Sequence, residues 1–272
     1  MNTPVPSDDA PELLVRDVDC IRYLTLNRPQ RFNALSRSLL ESLVNALRAA
    51  AVDPAVRCVV LAGEGKAFCA GGDVGVQAAD ATSRPVAPET FADGLKSRME
   101  SIRLLHEMPK PTIAMLNGVA AGAGMSLALA CDLRVAGDKA RMTTSFSKVG
   151  LSGDYGGSYF LTALVGPAVA RELYFTSPIL EIERLVALGL VSRRVEQERL
   201  RDETYALALE LAKGPTLAFR YIKRNLNIAL QGTLEDVMAS EIFGTMRTLA
   251  SEDHREGAQA FMQKREADFK GA

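Results

Sequence analysis

Residues 110–157 contain the feature that most restricts how this chain can fold. The run Thr112 to Leu116 is apolar and follows a proline, which is typical of a buried strand. Three glycines then mark a turn, and Met125 to Cys131 is an apolar, alanine- and leucine-rich segment typical of a buried helix. A strand, a glycine turn and a helix in this order leave unpaired backbone N–H groups at the helix start, where they stabilise a negative charge.

A single glycine turn is also explained by close packing, because such turns recur throughout α/β proteins. A second small-residue loop, Ala67 to Asp73, follows another apolar run, Cys58 to Ala62. Two strand ends of this kind can each supply one N–H group to the same oxyanion. The repetition therefore favours a ligand-binding interpretation over packing alone.

Composition restricts the class of protein. With 272 residues, 47% hydrophobic and 24% charged, the chain can bury a full core as one large domain or as one domain with an appendage. A net charge of −1 and the lack of a basic stripe predict no nucleic-acid partner. The four cysteines lie in or beside apolar runs without metal-ligand spacing, so we expect buried thiols and no metal site.

The first eleven residues have neither the charged region nor the apolar core of a targeting peptide. No apolar run approaches the roughly 20 residues that span a bilayer. These features predict a cytoplasmic protein without membrane association.

Strands and helices alternate up to about residue 199, which predicts an α/β fold with crossover connections. Residues 76–89 lack a period and are predicted to be a mobile loop. From Leu200 onward we predict four amphipathic helices with no strand between them, so the chain divides into a core, 1–199, and a helical region, 200–272. Apolar side chains of these helices are expected to mediate self-association: Leu207, Leu211, Leu226, Ile242, Phe243 and Phe261.

Several short motifs resemble the crotonase family, which is the enoyl-CoA hydratase/isomerase family. The matching segments, in family order, are residues 26–29, 68–73, 117–124, 131–132, 156–157, 255–257 and 261–265. The resemblance implies a spiral of ββα units followed by a C-terminal helical region that drives assembly into a trimer or hexamer. It also implies an acyl-CoA substrate, with coenzyme A as part of that substrate and no other cofactor.

By the same resemblance, the oxyanion donors are the backbone N–H groups of Ala70 and Ala123. Arg28 is implied to lie near the nucleotide phosphates of coenzyme A. Phe261 and Lys264 are implied to contact coenzyme A, including that of a neighbouring subunit, although a solvated helix end explains Lys264 equally well. The remaining substrate-binding residues implied by the resemblance lie in the two loops: Ala70, Gly71, Gly72, Asp73, Gly122 and Ala123. Asp73 has an alternative role as a brace for its loop.

The acid/base residues distinguish the reactions of the family. Typical hydratases carry two glutamates, and this chain has Ser126 and Phe146 at those positions. Hydration requires activation of water and delivery of a proton, which a phenyl ring cannot perform. One carboxylate remains, Asp154, on a glycine-flanked turn, and the segment from Asn117 to Gly157 resembles epoxyphenylacetyl-CoA isomerase-like members that carry an aspartate there. A purely structural turn or helix-capping role is the alternative for Asp154.

Three hypotheses follow. The first is an acyl-CoA isomerase in which Asp154 is the single acid/base. The second is another reaction of the family, either enoyl-CoA hydration through a water bound to Ser126 or carbon–carbon hydrolysis with Asp154 as the base. The third is a non-catalytic relative that binds acyl-CoA or RNA, which the near-neutral charge and the retained oxyanion loops disfavour.

Overall fold

The computed structural model describes residues 10–73 and 87–272. The strands of this part of the chain are β1 (Leu13–Val18), β2 (Ile21–Leu26), β3 (Cys58–Gly63), β4 (Ala67–Cys69), β5 (Thr112–Leu116), β6 (Val119–Ala121), β7 (Leu133–Gly137), β8 (Arg141–Thr143) and β9 (Arg193–Val195). Its α-helices are α1 (Arg37–Val52), α2 (Pro88–Glu107), α3 (Ala123–Ala130), α4 (Gly157–Thr176), α5 (Ile182–Ala187), α6 (Leu200–Lys213), α7 (Thr216–Ala229), α8 (Leu234–Leu249) and α9 (Glu252–Gln263).

The strands form two sheets. The larger sheet has the order β1-β2-β3-β5-β7-β9, and the smaller has the order β4-β6-β8. All pairings are parallel except that of β1 with β2. From β3 to β8, successive strands alternate between the two sheets, and helices connect one pair of strands to the next. This arrangement is a spiral of ββα units, and it confirms the predicted α/β crotonase-like fold.

Strand β3 lies at the centre of the core and is buried along its whole length. Its side chains alternate between two faces, as the strand period requires. Val59 and Leu61 pack in the cluster that contains the apolar face of α1, whereas Cys58 and Val60 pack in the cluster that contains α6. Parallel strands covered on both faces read as continuous apolar runs, which is the pattern of this sequence.

Helix α6 packs directly on the large sheet. Leu207 is 3% exposed and belongs to the same cluster as Val60 and Ile113. Leu207 was therefore wrongly predicted to mediate self-association, because its amphipathic face is covered within its own chain. The predicted division at residue 200 stays a prediction, since the first helix after it contributes to the core of the sheet.

Local signals define the helix ends well. Ser36 caps α1, because its side chain accepts a hydrogen bond from the Leu39 N–H. Helix α4 bends at Gly166, whose φ of 77° favours glycine, and Pro167 follows the bend. Helix α9 begins at Glu252, because Ser251 caps it. The expected loop 76–89 lies outside the described residues except at its end, where Pro88 and Glu89 open α2.

The exposure of the cysteines agrees with the prediction at three of the four positions. Three cysteines are buried free thiols as predicted, but Cys20 is exposed at the β1–β2 turn. Within residues 10–73 and 87–272, no helix is both long and apolar enough to cross a membrane.

Candidate active site

The two small-residue loops meet at the carboxyl ends of β4 and β6. A Cβ atom added to Gly71 would lie 2.7 Å from the Ala121 carbonyl oxygen and 3.4 Å from the Ala123 nitrogen. A Cβ added to Gly124 would lie 2.2 Å from the Cys69 carbonyl oxygen. The backbones therefore touch directly, and only glycine fits at these two contacts.

The second loop leads into the buried helix α3, all eight residues of which are inaccessible to solvent. Gly122 precedes the helix with φ 51° and ψ −123°, a conformation that favours glycine. Within the described residues, the Ala123 N–H donates to no protein acceptor. This group lies at the positive end of the helix dipole, which makes it suited to an oxyanion.

In the first loop, the structure corrects the choice of donor. The Ala70 N–H donates to the Phe32 carbonyl oxygen at 2.9 Å, so it is already engaged. The Gly71 N–H points to the Cys69 sulfur at 3.4 Å. Gly72 is the first residue after β4 whose N–H lacks an acceptor in the described part of the chain. The prediction of Ala70 is contradicted by its hydrogen bond, which no local sequence signal reveals.

Asp154 lies on the turn that precedes α4, against the first turn of α3. The Ser126 hydroxyl is 3.3 Å from both the Gly122 and Asp154 carbonyl oxygens and within hydrogen-bonding reach of each. The Asp154 Oδ1 atom is buried without a hydrogen-bond partner among the described residues. Burial raises the pKa of Asp154 to about 6, because the charged carboxylate loses hydration. A carboxyl group with such a pKa can both accept and donate a proton near neutral pH.

Ser126 and Phe146 occupy the space between the loop and the Asp154 turn. Ser126 is 1% exposed and bridges two carbonyl groups, which fits a small bracing residue better than a water-binding one. Phe146 is buried, and its ring faces Gly122 on one side and Gly153 on the other. No carboxylate stands at either position.

Two tyrosines adjoin Asp154. Tyr155 is buried in the apolar core, and burial raises its pKa to about 12. Tyr174 of α4 lies parallel to Phe146, with ring centroids 6.2 Å apart. Burial raises the pKa of Tyr174 to about 12, and the nearby Asp154 charge adds to this shift. The sequence did not single out Tyr174, because its contacts with Gly153 and Gly157 are non-local.

Arg28 and Asp73 are paired with each other. The Arg28 guanidinium lies 3.3 Å from the Asp73 carboxylate and 2.9 Å from that of Glu12, and it donates to the Ala34 carbonyl oxygen. Asp73 thus braces its loop, as the alternative interpretation expected. Binding of a phosphate by Arg28 stays a prediction, and such a ligand would compete with these two carboxylates.

Phe261 and Lys264 lie at the carboxyl end of α9. Phe261 is 83% exposed, and Lys264 ends α9 with a left-handed φ of 56°. Beyond α9, the Phe269 carbonyl oxygen accepts a hydrogen bond from Arg57, which lies at the amino end of β3. A contact of Phe261 or Lys264 with coenzyme A, including that of a neighbouring subunit, stays a prediction.

The part of the chain that the structure describes contains no group of three or more His, Cys, Asp or Glu side chains arranged as metal ligands. The arrangement instead offers two backbone donors and one desolvated carboxylate. Chemically, such a site can hold an enolate oxygen while one group moves a proton.

Fold, site and sequence together define the class of protein. Residues 17–272 match the sequence profile of the enoyl-CoA hydratase/isomerase family. The chain therefore belongs to this family of acyl-CoA-processing enzymes.

Relatives within the family carry different activities. The chain is 36% identical to the 1,2-epoxyphenylacetyl-CoA isomerase of Escherichia coli, over 92% of this chain and 95% of the relative. It is 32% identical to the crotonyl-CoA hydratase of Syntrophomonas wolfei, over 94% and 97% of the two chains. The crystal structure of an enoyl-CoA hydratase from Polaromonas superposes with a TM-score of 0.89 at 35% identity, over 94% of this chain and 99% of that one.

Burial of the Asp154 carboxyl group predicts that the difference in stability between the wild type and Asp154→Asn depends on pH. The folded-state pKa of Asp154 is about 6, above its ordinary value of 3.8, because folding favours the protonated carboxyl group over the ionised one. The wild-type protein is therefore less stable once the pH rises through 6 and Asp154 must ionise in the folded state. At pH 8 we expect Asp154→Asn to raise the free energy of unfolding by up to about 3 kcal/mol, from about 1.4 kcal/mol per pKa unit. Below pH 4 the gain should vanish.

Urea unfolding at matched protein concentration measures this difference at both pH values. The control is Asp93→Asn, which replaces an exposed aspartate of α2. A gain of the same size at pH 4 and pH 8 would contradict desolvation as the origin of the pKa shift.

Proposed function

We propose that this enzyme isomerises a 3-enoyl or ring-strained acyl-CoA, with Asp154 as the single acid/base. The observation that carries the proposal is the part-buried Asp154 carboxyl group, whose Oδ1 atom has no hydrogen-bond partner among the described residues. The backbone carbonyl of Asp154 lies 3.3 Å from the Ser126 hydroxyl, in the first turn of the helix that begins at Ala123. Two other carboxylates of the described residues are engaged elsewhere: Asp73 pairs with Arg28, and Asp132 accepts from Thr112 and Lys223.

The proposed reaction conserves all atoms of the substrate. For a 3-enoyl-CoA, the Asp154 carboxylate removes a proton from Cα, between the thioester carbonyl and the double bond, and the electrons of the broken C–H bond move into the carbonyl to give a dienolate. The N–H groups of Gly72 and Ala123 donate hydrogen bonds to the resulting enolate oxygen. Protonated Asp154 then returns the proton to a different carbon, which shifts the double bond and regenerates the carboxylate.

Hydration is the less favoured alternative, even though several relatives are named hydratases. A hydratase must activate water and also protonate the substrate. Phe146 has no proton to exchange, and the Ser126 hydroxyl already lies within reach of two carbonyl groups. We therefore expect slow or absent hydration of crotonyl-CoA.

Replacement of Asp154 by asparagine tests the proposed base. Asp154→Asn removes the titrating group and keeps the side-chain shape, so turnover of a 3-enoyl-CoA should fall by about 10²–10⁴-fold with little change in acyl-CoA affinity. Steady-state kinetics and calorimetric binding measure the two quantities. Full turnover in this variant, or rapid hydration of crotonyl-CoA by the wild type, would refute the assignment.

The oxyanion donors predict a vibrational shift. Binding of butyryl-CoA labelled with ¹³C at the carbonyl should lower the frequency of the thioester carbonyl stretch, because two N–H groups polarise the bond. Gly71→Ala should reduce this shift, since the added methyl group would clash with the Ala121 carbonyl beside Ala123. Gly150→Ala is the matched control, because Gly150 also has a positive φ but an added Cβ meets no atom within 4 Å.

Difference infrared spectroscopy reads this shift directly. An unshifted carbonyl in the wild-type complex would eliminate the oxyanion proposal. An equal loss of shift in both glycine variants would assign the effect to backbone strain rather than to the contact between the loops.

We also propose that copies of this chain assemble as a trimer or hexamer through α7 and α8. These helices expose large apolar side chains, among them Leu226 at 63%, Ile242 at 63% and Met246 at 65%. Exposed apolar surface of this extent is typical of an interface.

A cytoplasmic location stays a prediction.

Sedimentation velocity tests the assembly. Ile242→Lys should shift the population toward smaller species, because it buries a charge in the interface. Ile179→Lys, at an isoleucine that is 58% exposed outside α7 and α8, should leave the oligomer intact. A wild-type monomer at micromolar concentration would contradict the proposal.

A further inference from the structure

We infer that Phe146 and Tyr174 are positioning residues, whose parallel rings form a spacer that fixes the Asp154 turn relative to the oxyanion loop. The inference rests on the proposed role of Asp154 as the base. It assigns a function to the aromatic side chain that stands where a hydratase carries a carboxylate.

Phe146 touches both parts of the site. A Cβ added to Gly122 would lie 3.7 Å from the Phe146 ring, and a Cβ added to Gly153 would lie 3.8 Å from it. Gly122 leads into the oxyanion helix, and Gly153 immediately precedes the base. The ring of Phe146 therefore spans the gap between the two catalytic segments.

Tyr174 holds the turn from its other side. Its ring would lie 3.2 Å from a Cβ at Gly153, and its hydroxyl oxygen would lie 2.6 Å from a Cβ at Gly157. The same Cβ at Gly157 would be 2.4 Å from the Ser126 hydroxyl. Tyr174 thus contacts both ends of the Asp154 turn, and Gly153, with a φ of 108°, adopts a conformation that favours glycine where the ring lies nearest.

The two rings are parallel within 3°, with centroids 6.2 Å apart. A Cβ atom added to Gly153 would contact both of them. Rigid aromatic rings maintain a spacing better than flexible aliphatic chains, because they have few rotatable bonds. We expect the spacer also to keep water from the Asp154 carboxyl group, because both rings contact the turn that carries it. Among the described residues, titratable or charged groups near this turn include the hydroxyl of Tyr155 and, acting on it, the guanidinium of Arg98 and the thiol of Cys69.

Ring removal is the direct test. Phe146→Leu and Tyr174→Leu should each lower kcat for a 3-enoyl-CoA by about 10–100-fold while changing KM little, because a small misplacement of a reacting group is costly. Tyr174→Phe keeps the ring and should stay within about threefold of wild type. Tyr159→Leu removes a ring of the same helix that packs on His106 and Phe160 instead, and it serves as the matched control.

A pH profile separates positioning from simple destabilisation. The base must be ionised, so activity falls as pH drops through the pKa of Asp154. In the two leucine variants, water should reach the carboxyl group, and the acid limb should move from about pH 6 toward the ordinary value of about 4. Loss of folding stability alone lowers the active fraction and does not move this limb.

A ¹³C NMR titration of the Asp154 carboxyl group, assigned by its loss in Asp154→Asn, gives the same pKa without any activity measurement. Unchanged kcat and unchanged titration in both leucine variants, or an equal change in Tyr159→Leu, would overturn the inference. If the titration moves as expected but Asp154→Asn keeps full turnover, the spacer stands and the proposed catalytic role fails.

Discussion

Direct backbone contact between two strand–turn units is the constraint on which the rest of the structure depends. A Cβ at Gly118 would lie 2.0 Å from the Lys66 carbonyl oxygen, and one at Gly124 would lie 2.2 Å from that of Cys69. These distances leave no room for any side chain, so the two units approach as closely as their main chains allow. This approach brings the carboxyl ends of β4 and β6 together. It also places the start of α3 beside the first loop.

The base is held by segments that are distant in sequence but adjacent in the spiral. Ser126 of α3, Phe146 after β8 and Tyr174 of α4 all contact the Asp154 turn. The result is a partly buried carboxylate with one oxygen, Oδ1, that has no hydrogen-bond donor among the described residues, which is unfavourable for folding. The extensive cores on both faces of the large sheet offset this local cost. Sites that trade stability for chemistry in this way are common in enzymes.

Features that depend on neighbouring residues were predictable from the sequence. The bounds of α6 and α7 and the cap at Ser36 follow from local periodicity and side-chain chemistry. Strands β4 and β6 were instead assigned to a loop and a turn, because three-residue strands rich in small residues carry no recognisable period. The choice of Ala70 as a donor was wrong, because the availability of its N–H depends on Phe32, a residue from a remote segment. Leu207 was misassigned for a related reason, since an amphipathic face does not reveal whether a sheet or another subunit covers it. Tyr174 was missed because glycines at positions 153 and 157 signal a close neighbour without identifying it.

Among residues 10–73 and 87–272, no hydrogen-bond partner reaches the Asp154 Oδ1 atom, and this has a consequence for ligand binding. A pKa that is set by exclusion of water, rather than by a charge pair, responds to whatever fills the adjacent space. An acyl chain that displaces the remaining solvent would strengthen the basicity of the carboxylate that acts on it. Substrate association and proton uptake would then be thermodynamically coupled, so that the empty enzyme carries a weaker base than the loaded one.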